Sequence, residues 1–123
     1  MISGLSYGAL RPSLLMQAAL DAKRAREARE VAAVMPLIDT AISQGQLGRH
    51  DAWQLRWALT TTRRVQASDV SAVLEAATRI QAAPLSRPDR SDLTEMLVRG
   101  ELSVADALGL VQLTLDGYPW YGK

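Results

Sequence analysis

The sequence predicts an all-α fold: a single-domain helical bundle of five to six helices, with a long first helix and two similar αα hairpins. Ala and Leu supply most of the 48% hydrophobic content, and Phe is absent, a composition that favours helices over strands. Apolar residues recur every three or four positions, which is the helical period. At 123 residues the chain has the usual size of one domain and is long enough to bury a core without disulfides or metal.

The first helix is predicted over residues 12–35. Pro12 suits a first helical turn, and we expect Pro36 to end or kink the helix. Opposite charges such as Lys23 and Glu27 lie three or four residues apart, which supports an exposed helical face. A helix of this length spans about 35 Å, so we expect its far end to overhang so small a domain.

An alanine stripe on this helix predicts close packing against another helix. Ala18, Ala22 and Ala25 recur at helical spacing, and their small side chains let a neighbouring backbone approach closely. We expect a homodimer or hetero-complex through these residues. The alternative is burial of the stripe within the chain, against the helix that carries Val70.

The remaining elements follow from caps and breakers. They are a first αα hairpin over 36–64, a helix over 68–83 capped by Ser68, a linker over 84–90, a second αα hairpin over 91–115 whose first helix is capped by Ser91, and an aromatic tail over 116–123. Together they complete one helical domain, 1–123.

The two hairpins are predicted to be alike because the sequence repeats. Residues 45–55 (GQLGRHDAWQL) align with residues 100–110 (GELSVADALGL), and Gly, Leu, Asp, Ala and Leu recur at matching places. We expect the Gly to close one helix, the Leu to pack between the helices, and the Asp to lie in the first turn of the next helix, where a carboxylate meets the positive helix end. The repeat indicates either a duplication or two turns that share the residues a capped turn favours.

No catalytic constellation is visible, so we expect a protein that is not an enzyme and uses no metal or cofactor. Cys is absent and His50 is the only histidine, which leaves no thiolate or multi-histidine metal site within the chain. The segment 45–48 lacks the lysine and preceding strand of a phosphate-binding loop. We interpret His50 as a surface residue in the first turn of a helix.

Aromatic residues supply the candidate contacts to a partner. Trp53 and Trp57 are four residues apart and share a helical face. Their counterparts in the repeat, Leu108 and Gln112, predict Trp53 in the core and Trp57 at the surface.

The C-terminal tail adds three more aromatic residues. Tyr118, Trp120 and Tyr121 are half of the six aromatics in the chain, and such rings dominate interface energetics. We expect the tail either to cap its own bundle or to insert into a partner's groove.

The leading hypothesis is a non-enzymatic protein–protein interaction module, either a small adaptor, a chaperone-like subunit or an assembly component. The net charge of +1 does not indicate a polyanion-binding protein. Twelve Arg against two Lys, with abundant Ala, favour a bacterial or phage origin. No targeting or membrane-spanning stretch is evident, so we expect a cytoplasmic protein.

The alternative is a DNA-binding regulator. The spacing of Val65, Val70 and Val73 resembles the turn and recognition helix of the helix-turn-helix motif. That resemblance implies DNA contacts from the helix over 68–82, with a site made of Arg56, Arg63, Arg64 and Ser68. The face that would read bases carries two acids and no Arg or Asn suited to base edges.

Overall fold

A computed structural model describes residues 13–117. Within that range the chain forms five α-helices and one 3-10 turn, with no strand. In chain order they are α1 (Leu14–Ser43), α2 (Arg49–Thr60), the 3-10 turn (Ala67–Asp69), α3 (Val70–Ala82), α4 (Arg87–Val98) and α5 (Val104–Leu115). This confirms the all-α bundle and its long first helix.

Helix α1 runs unbroken through Pro36, so the boundary predicted there is wrong. The helix begins after Ser13, whose hydroxyl accepts a hydrogen bond from the Met16 N–H at 3.0 Å. Pro36 is exposed, as is Ala32 one turn earlier. The carbonyl that loses its helical hydrogen bond therefore belongs to an exposed residue, and the side that packs on the bundle continues past the proline.

Helix α3 lies at the centre of the bundle and packs against α1, α4 and α5, while α2 packs against α1 and α4. Its inward side chains follow helical spacing and are all buried: Val70, Val73, Ala76, Ala77 and Ile80. Buried residues from every α-helix join them in one apolar cluster. The bundle is thus held by aliphatic packing alone, because none of the buried apolar side chains in residues 13–117 is aromatic.

The two predicted αα hairpins are present and share one hydrogen-bond pattern. Gly45 and Gly100 have φ of 73° and 76°. In both turns the glycine N–H donates to the carbonyl three residues back, at 3.0 and 3.1 Å, and the next N–H donates five residues back, at 2.9 Å in each. This is the turn in which a left-handed residue closes a helix. The sequence repeat of residues 45–55 at residues 100–110, an offset of 55, is therefore also a repeat in backbone geometry.

The second helix of each hairpin also begins alike. Gly48 and Ser103 occupy the N-cap positions of α2 and α5, and the Ser103 hydroxyl accepts from the Asp106 N–H at 3.0 Å. The leucines of the turns, Leu47 and Leu102, are buried and half-buried. The roles predicted for the repeated Gly and Leu are confirmed.

Two predicted caps are wrong. Ser68 lies inside the 3-10 turn, where the Asp69 N–H donates to the Gln66 carbonyl at 2.9 Å, and α3 starts after Asp69 without a side-chain cap. Helix α4 begins at Arg87 rather than after Ser91, inside the segment predicted as a linker.

The physical reason for the earlier start of α4 is a better cap. The Ser86 hydroxyl accepts from the Asp89 N–H at 3.2 Å. Pro88 then falls in the first turn, where a missing N–H costs nothing. The segment 84–90 thus contains the start of a helix.

Candidate protein-interaction surfaces

The first half of α1 projects from the bundle. Every residue from Ser13 to Arg26 is exposed, and Leu14 and Leu15 are 90% and 83% exposed. This projecting half rises about 20 Å along its axis. Ala18, Ala22 and Ala25 lie on it and are exposed, so the alternative that they are buried against α3 is wrong.

The two sides of the projecting half differ. Successive residues turn by about 100° around a helix. Val31, Met35 and Ile38 pack on the bundle, and the same side carries Met16 and Leu20 further toward the N-terminus. The alanine stripe lies on roughly the opposite side of α1. The side that packs on the bundle therefore continues beyond it with Met16 and Leu20, which are exposed among residues 13–117, and with charged residues between them and Val31.

A groove of about 590 Å³ opens where α1 leaves the bundle. Its apolar lining comes from α1 and from the end of α2 and the segment after it: Val31, Met35, Leu59, Val65 and Ala67. Charged side chains from Arg24, Glu27 and Arg63 also line it, and Arg63 Nη1 lies 3.2 Å from Glu27 Oε2. A groove with an apolar floor and a charged border suits an amphipathic helix.

Two features at the border of this groove join distant parts of the chain or depart from ordinary backbone geometry. Arg63 and Glu27 both line the groove and form an ion pair although they are 36 residues apart. Arg63 also has a positive φ of 56°, unusual for a residue with a side chain. No residue pattern along the chain signals either feature.

Trp53 and Trp57 stack on each other at the surface of α2. Their ring centroids are 5.6 Å apart with an interplanar angle of 18°, and they are 54% and 47% exposed. Trp57 is exposed as predicted. The core position predicted for Trp53 is wrong: α2 buries Ala52 and Leu55, and Trp53 turns away from that side. The pair is a rigid apolar patch of the kind that anchors protein interfaces.

Polar side chains surround this indole pair. A shallow cleft beside Trp57 is also lined by Arg64 and Arg99. Arg99 Nη2 lies 2.6 Å from Glu95 Oε1, and its Nε donates to the Gln54 amide oxygen at 3.3 Å. The cleft therefore presents both signs of charge next to an aromatic surface.

One carboxyl near this surface has a shifted pKa. Burial raises the pKa of Asp51, the charge of His50 lowers it, and the carboxylate of Glu95 raises it. The desolvation is the largest effect, so the net direction is upward.

The residues of the DNA hypothesis are dispersed. Arg56 is ion-paired with Asp39, and Arg63 with Glu27. Arg64 is exposed, and Ser68 lies in the 3-10 turn. Because two of the three cations already face carboxylates, less positive potential is left for phosphates. DNA binding stays a prediction that nothing in this arrangement favours.

Tyr118, Trp120 and Tyr121 lie outside the described residues. Between residues 13 and 117, no cluster of three or more His, Asp or Glu side chains is arranged to hold a metal ion. Over the same span, no helix combines the length and the apolar character needed to cross a bilayer.

No protein-family model, curated protein or solved structure matches this chain.

Proposed function

We propose that the protein is a non-enzymatic protein–protein interaction module, a small adaptor or assembly component, and that the projecting half of α1 is its main binding element. The observation that carries this proposal is the exposure of Leu14 and Leu15 on a stretch of helix, Ser13 to Arg26, in which no residue is buried by the rest of residues 13–117. A bacterial or phage origin, supported by the Arg-rich and Ala-rich composition, and a cytoplasmic location belong to the same proposal.

Two physical arguments support a partner at this element. A helical segment of this length without tertiary packing is marginal in water, because nucleation is costly and propagation gains little. Each leucine removed from water contributes about 1.5–3 kcal/mol. A partner that covers the projecting half would both stabilise the helix and bury Leu14 and Leu15.

Affinity capture with the full-length chain tests the proposal. The variant Leu14→Glu/Leu15→Glu places charges on the projecting half, and Leu113→Glu/Leu115→Glu is the matched control on α5, where the leucines are 46% and 45% exposed. We expect the first variant to lose the partner and the second to retain it, with the thermal unfolding of both near that of the unmodified chain. Capture that survives the first variant, or is lost only in the second, overturns the assignment to α1.

The aromatic tail is tested separately by deleting residues 117–123. A large loss of thermal stability assigns the tail to its own bundle. Unchanged stability with lost capture assigns Tyr118, Trp120 and Tyr121 to the partner. If neither thermal stability nor capture changes, the tail has no part in the proposed function.

A further inference from the structure

We propose that the occupant of the projecting half is a second copy of this chain, paired antiparallel so that residues 14–24 of each copy lie in the groove of the other. This inference rests on the interaction function proposed above and names the partner of the groove side of α1. Leu14 and Leu15 lie nearer the alanine stripe and stay available to a further partner. The evidence for it is that the projecting half of α1 and the groove that α1 lines match each other in length, apolar residues and charge.

The two features have matching lengths. Helix α1 lines the groove from Arg24 to Met35, and its uncovered half runs from Leu14 to Arg26. Both stretches measure about 15–20 Å along the helix. A two-fold axis that crosses α1 between Ala25 and Arg26 exchanges them, so one pairing covers both projecting halves and both grooves.

The apolar side chains meet in this register. Residues equidistant from the axis face each other, which places Leu20 of one copy against Val31 of its partner and Met16 against Met35. All four lie on the side of α1 that faces the bundle, and Val31 and Met35 line the groove. Leu20 and Met16 are both exposed in the single chain. In the pair they pack against Val31 and Met35, which have the same four-residue spacing.

The charges are complementary in the same register. Arg24 and Glu27 are equidistant from the axis. The Arg24 of each copy therefore faces the Glu27 of its partner, and the pair contains two such contacts. Both side chains line the groove, and Glu27 already attracts Arg63 and Lys23 within its own chain. An axis through Arg24 itself would instead oppose two arginines.

Other pairings leave these surfaces uncovered. A parallel pair brings Arg24 near Arg24 and Glu27 near Glu27, and leaves both grooves empty. A pair formed through Ala18, Ala22 and Ala25 uses the side of α1 opposite the groove, so Met16 and Leu20 stay in water. The antiparallel pair through the groove side covers Met16, Leu20 and the groove together.

Cysteine cross-linking tests the register, and the chain is suited to it because it contains no cysteine. The single variants Leu20→Cys and Val31→Cys are oxidised reversibly in a redox buffer, alone and mixed in equal amounts. Positions 20 and 31 are adjacent across the proposed pair, whereas two copies of position 20 are about 16 Å apart, beyond the reach of a disulfide. We expect a cross-linked dimer only in the mixture.

Other cross-linking patterns overturn the proposal. Self-linking of Leu20→Cys alone indicates a parallel pair. Self-linking of the control variant Ala25→Cys indicates a pair through the alanine stripe. Absence of any cross-link in the mixture shows that these surfaces do not meet.

Mass measurement separates this inference from the function on which it rests. Light scattering on the unmodified chain is expected to show twice the 13.4 kDa of one copy, with Leu20→Asp weakening the dimer by about tenfold or more and Leu113→Asp leaving it unchanged. A monomer at high concentration overturns the second copy as occupant. The capture experiment then still decides whether a different protein binds the projecting half.

Discussion

At the residue scale, Gly45 and Gly100 hold equivalent places in the two turns but differ in their surroundings. A Cβ added at Gly45 meets nothing within 4 Å. A Cβ at Gly100 would lie 2.7 Å from the Arg64 Cβ and 2.9 Å from the Arg64 carbonyl oxygen. The segment after α2 thus presses its backbone against the second turn, and glycine is required there for space as well as for its positive φ.

Replacing Gly45 or Gly100 by Ala separates the effect of the left-handed conformation from the effect of crowding. We expect Gly45→Ala to destabilise the fold by about 1 kcal/mol through the left-handed conformation alone. Gly100→Ala adds displacement of the Arg64 backbone and should cost about 2–4 kcal/mol in total. Urea unfolding of the two variants measures the difference, and equal losses would contradict the close approach at Arg64.

Asp51 gives the fold a pH dependence in acid. Burial raises its folded-state pKa above the ordinary value of 3.8, so the unfolded chain releases this proton first. The contribution of Asp51 to stability is therefore fully present below pH 3.8 and is lost as the pH rises through the raised folded-state pKa.

The substitution Asp51→Asn should consequently gain stability relative to the unmodified chain as the pH rises from below 3.8 to neutrality. Asp106→Asn, at the equivalent and exposed place in α5, is the control. Thermal unfolding across that pH range measures both. A stability difference for Asp51→Asn that stays constant with pH would show that burial does not govern this carboxyl.

At the scale of elements, Pro36 lowers the stability of α1 because it lies inside the helix. Inside a helix, proline removes a hydrogen bond and crowds the preceding turn, at a cost of about 3 kcal/mol. Part of that cost is offset because proline also restricts the unfolded chain. We expect Pro36→Ala to stabilise the protein by about 1–2 kcal/mol. Pro88→Ala, in the first turn of α4, should change stability little, and guanidinium unfolding compares the two.

Local signals in the sequence were sufficient for the hairpins but not for the ends of every helix. Gly45, Leu47 and Gly48 act through short-range sterics and hydrogen bonds, so their pattern predicts the turn correctly. Pro36 does not end α1 because tertiary packing on both sides of it outweighs its local cost. For α4, Ser86 and Ser91 both suit an N-cap, and Pro88 fits either a linker or a first helical turn, so the local sequence does not decide where the helix begins.

The surfaces were predicted less completely, for a related reason. The overhang of α1 follows from the length of the helix, and that length can be predicted from the sequence. The core position expected for Trp53 assumed that repeated residues share burial, yet the two copies pack against different neighbours in the bundle. The groove at Val31 and Met35 forms where α1 meets residues 59–67, and such long-range contacts have no signature in a single sequence.

At the scale of the whole molecule, we expect no salt-sensitive binding to duplex DNA. Arg56 and Arg63 form ion pairs with carboxylates, so two of the three arginines of the DNA hypothesis are partly neutralised as phosphate ligands. A titration at increasing salt with the unmodified chain and with Arg63→Ala/Arg64→Ala measures this. Tight binding that weakens steeply with salt, and disappears in the double variant, would restore the DNA-binding regulator and defeat the interaction module.

The projecting half of α1 also governs how a single copy moves through solution. A rod of about 20 Å adds friction without adding much mass, so one free chain should diffuse more slowly than a sphere of 13.4 kDa. Gel filtration would then report too large a particle even for the monomer. If two copies align their rods side by side, the mass doubles while the drag grows far less. The frictional ratio from sedimentation velocity should therefore fall as the concentration rises.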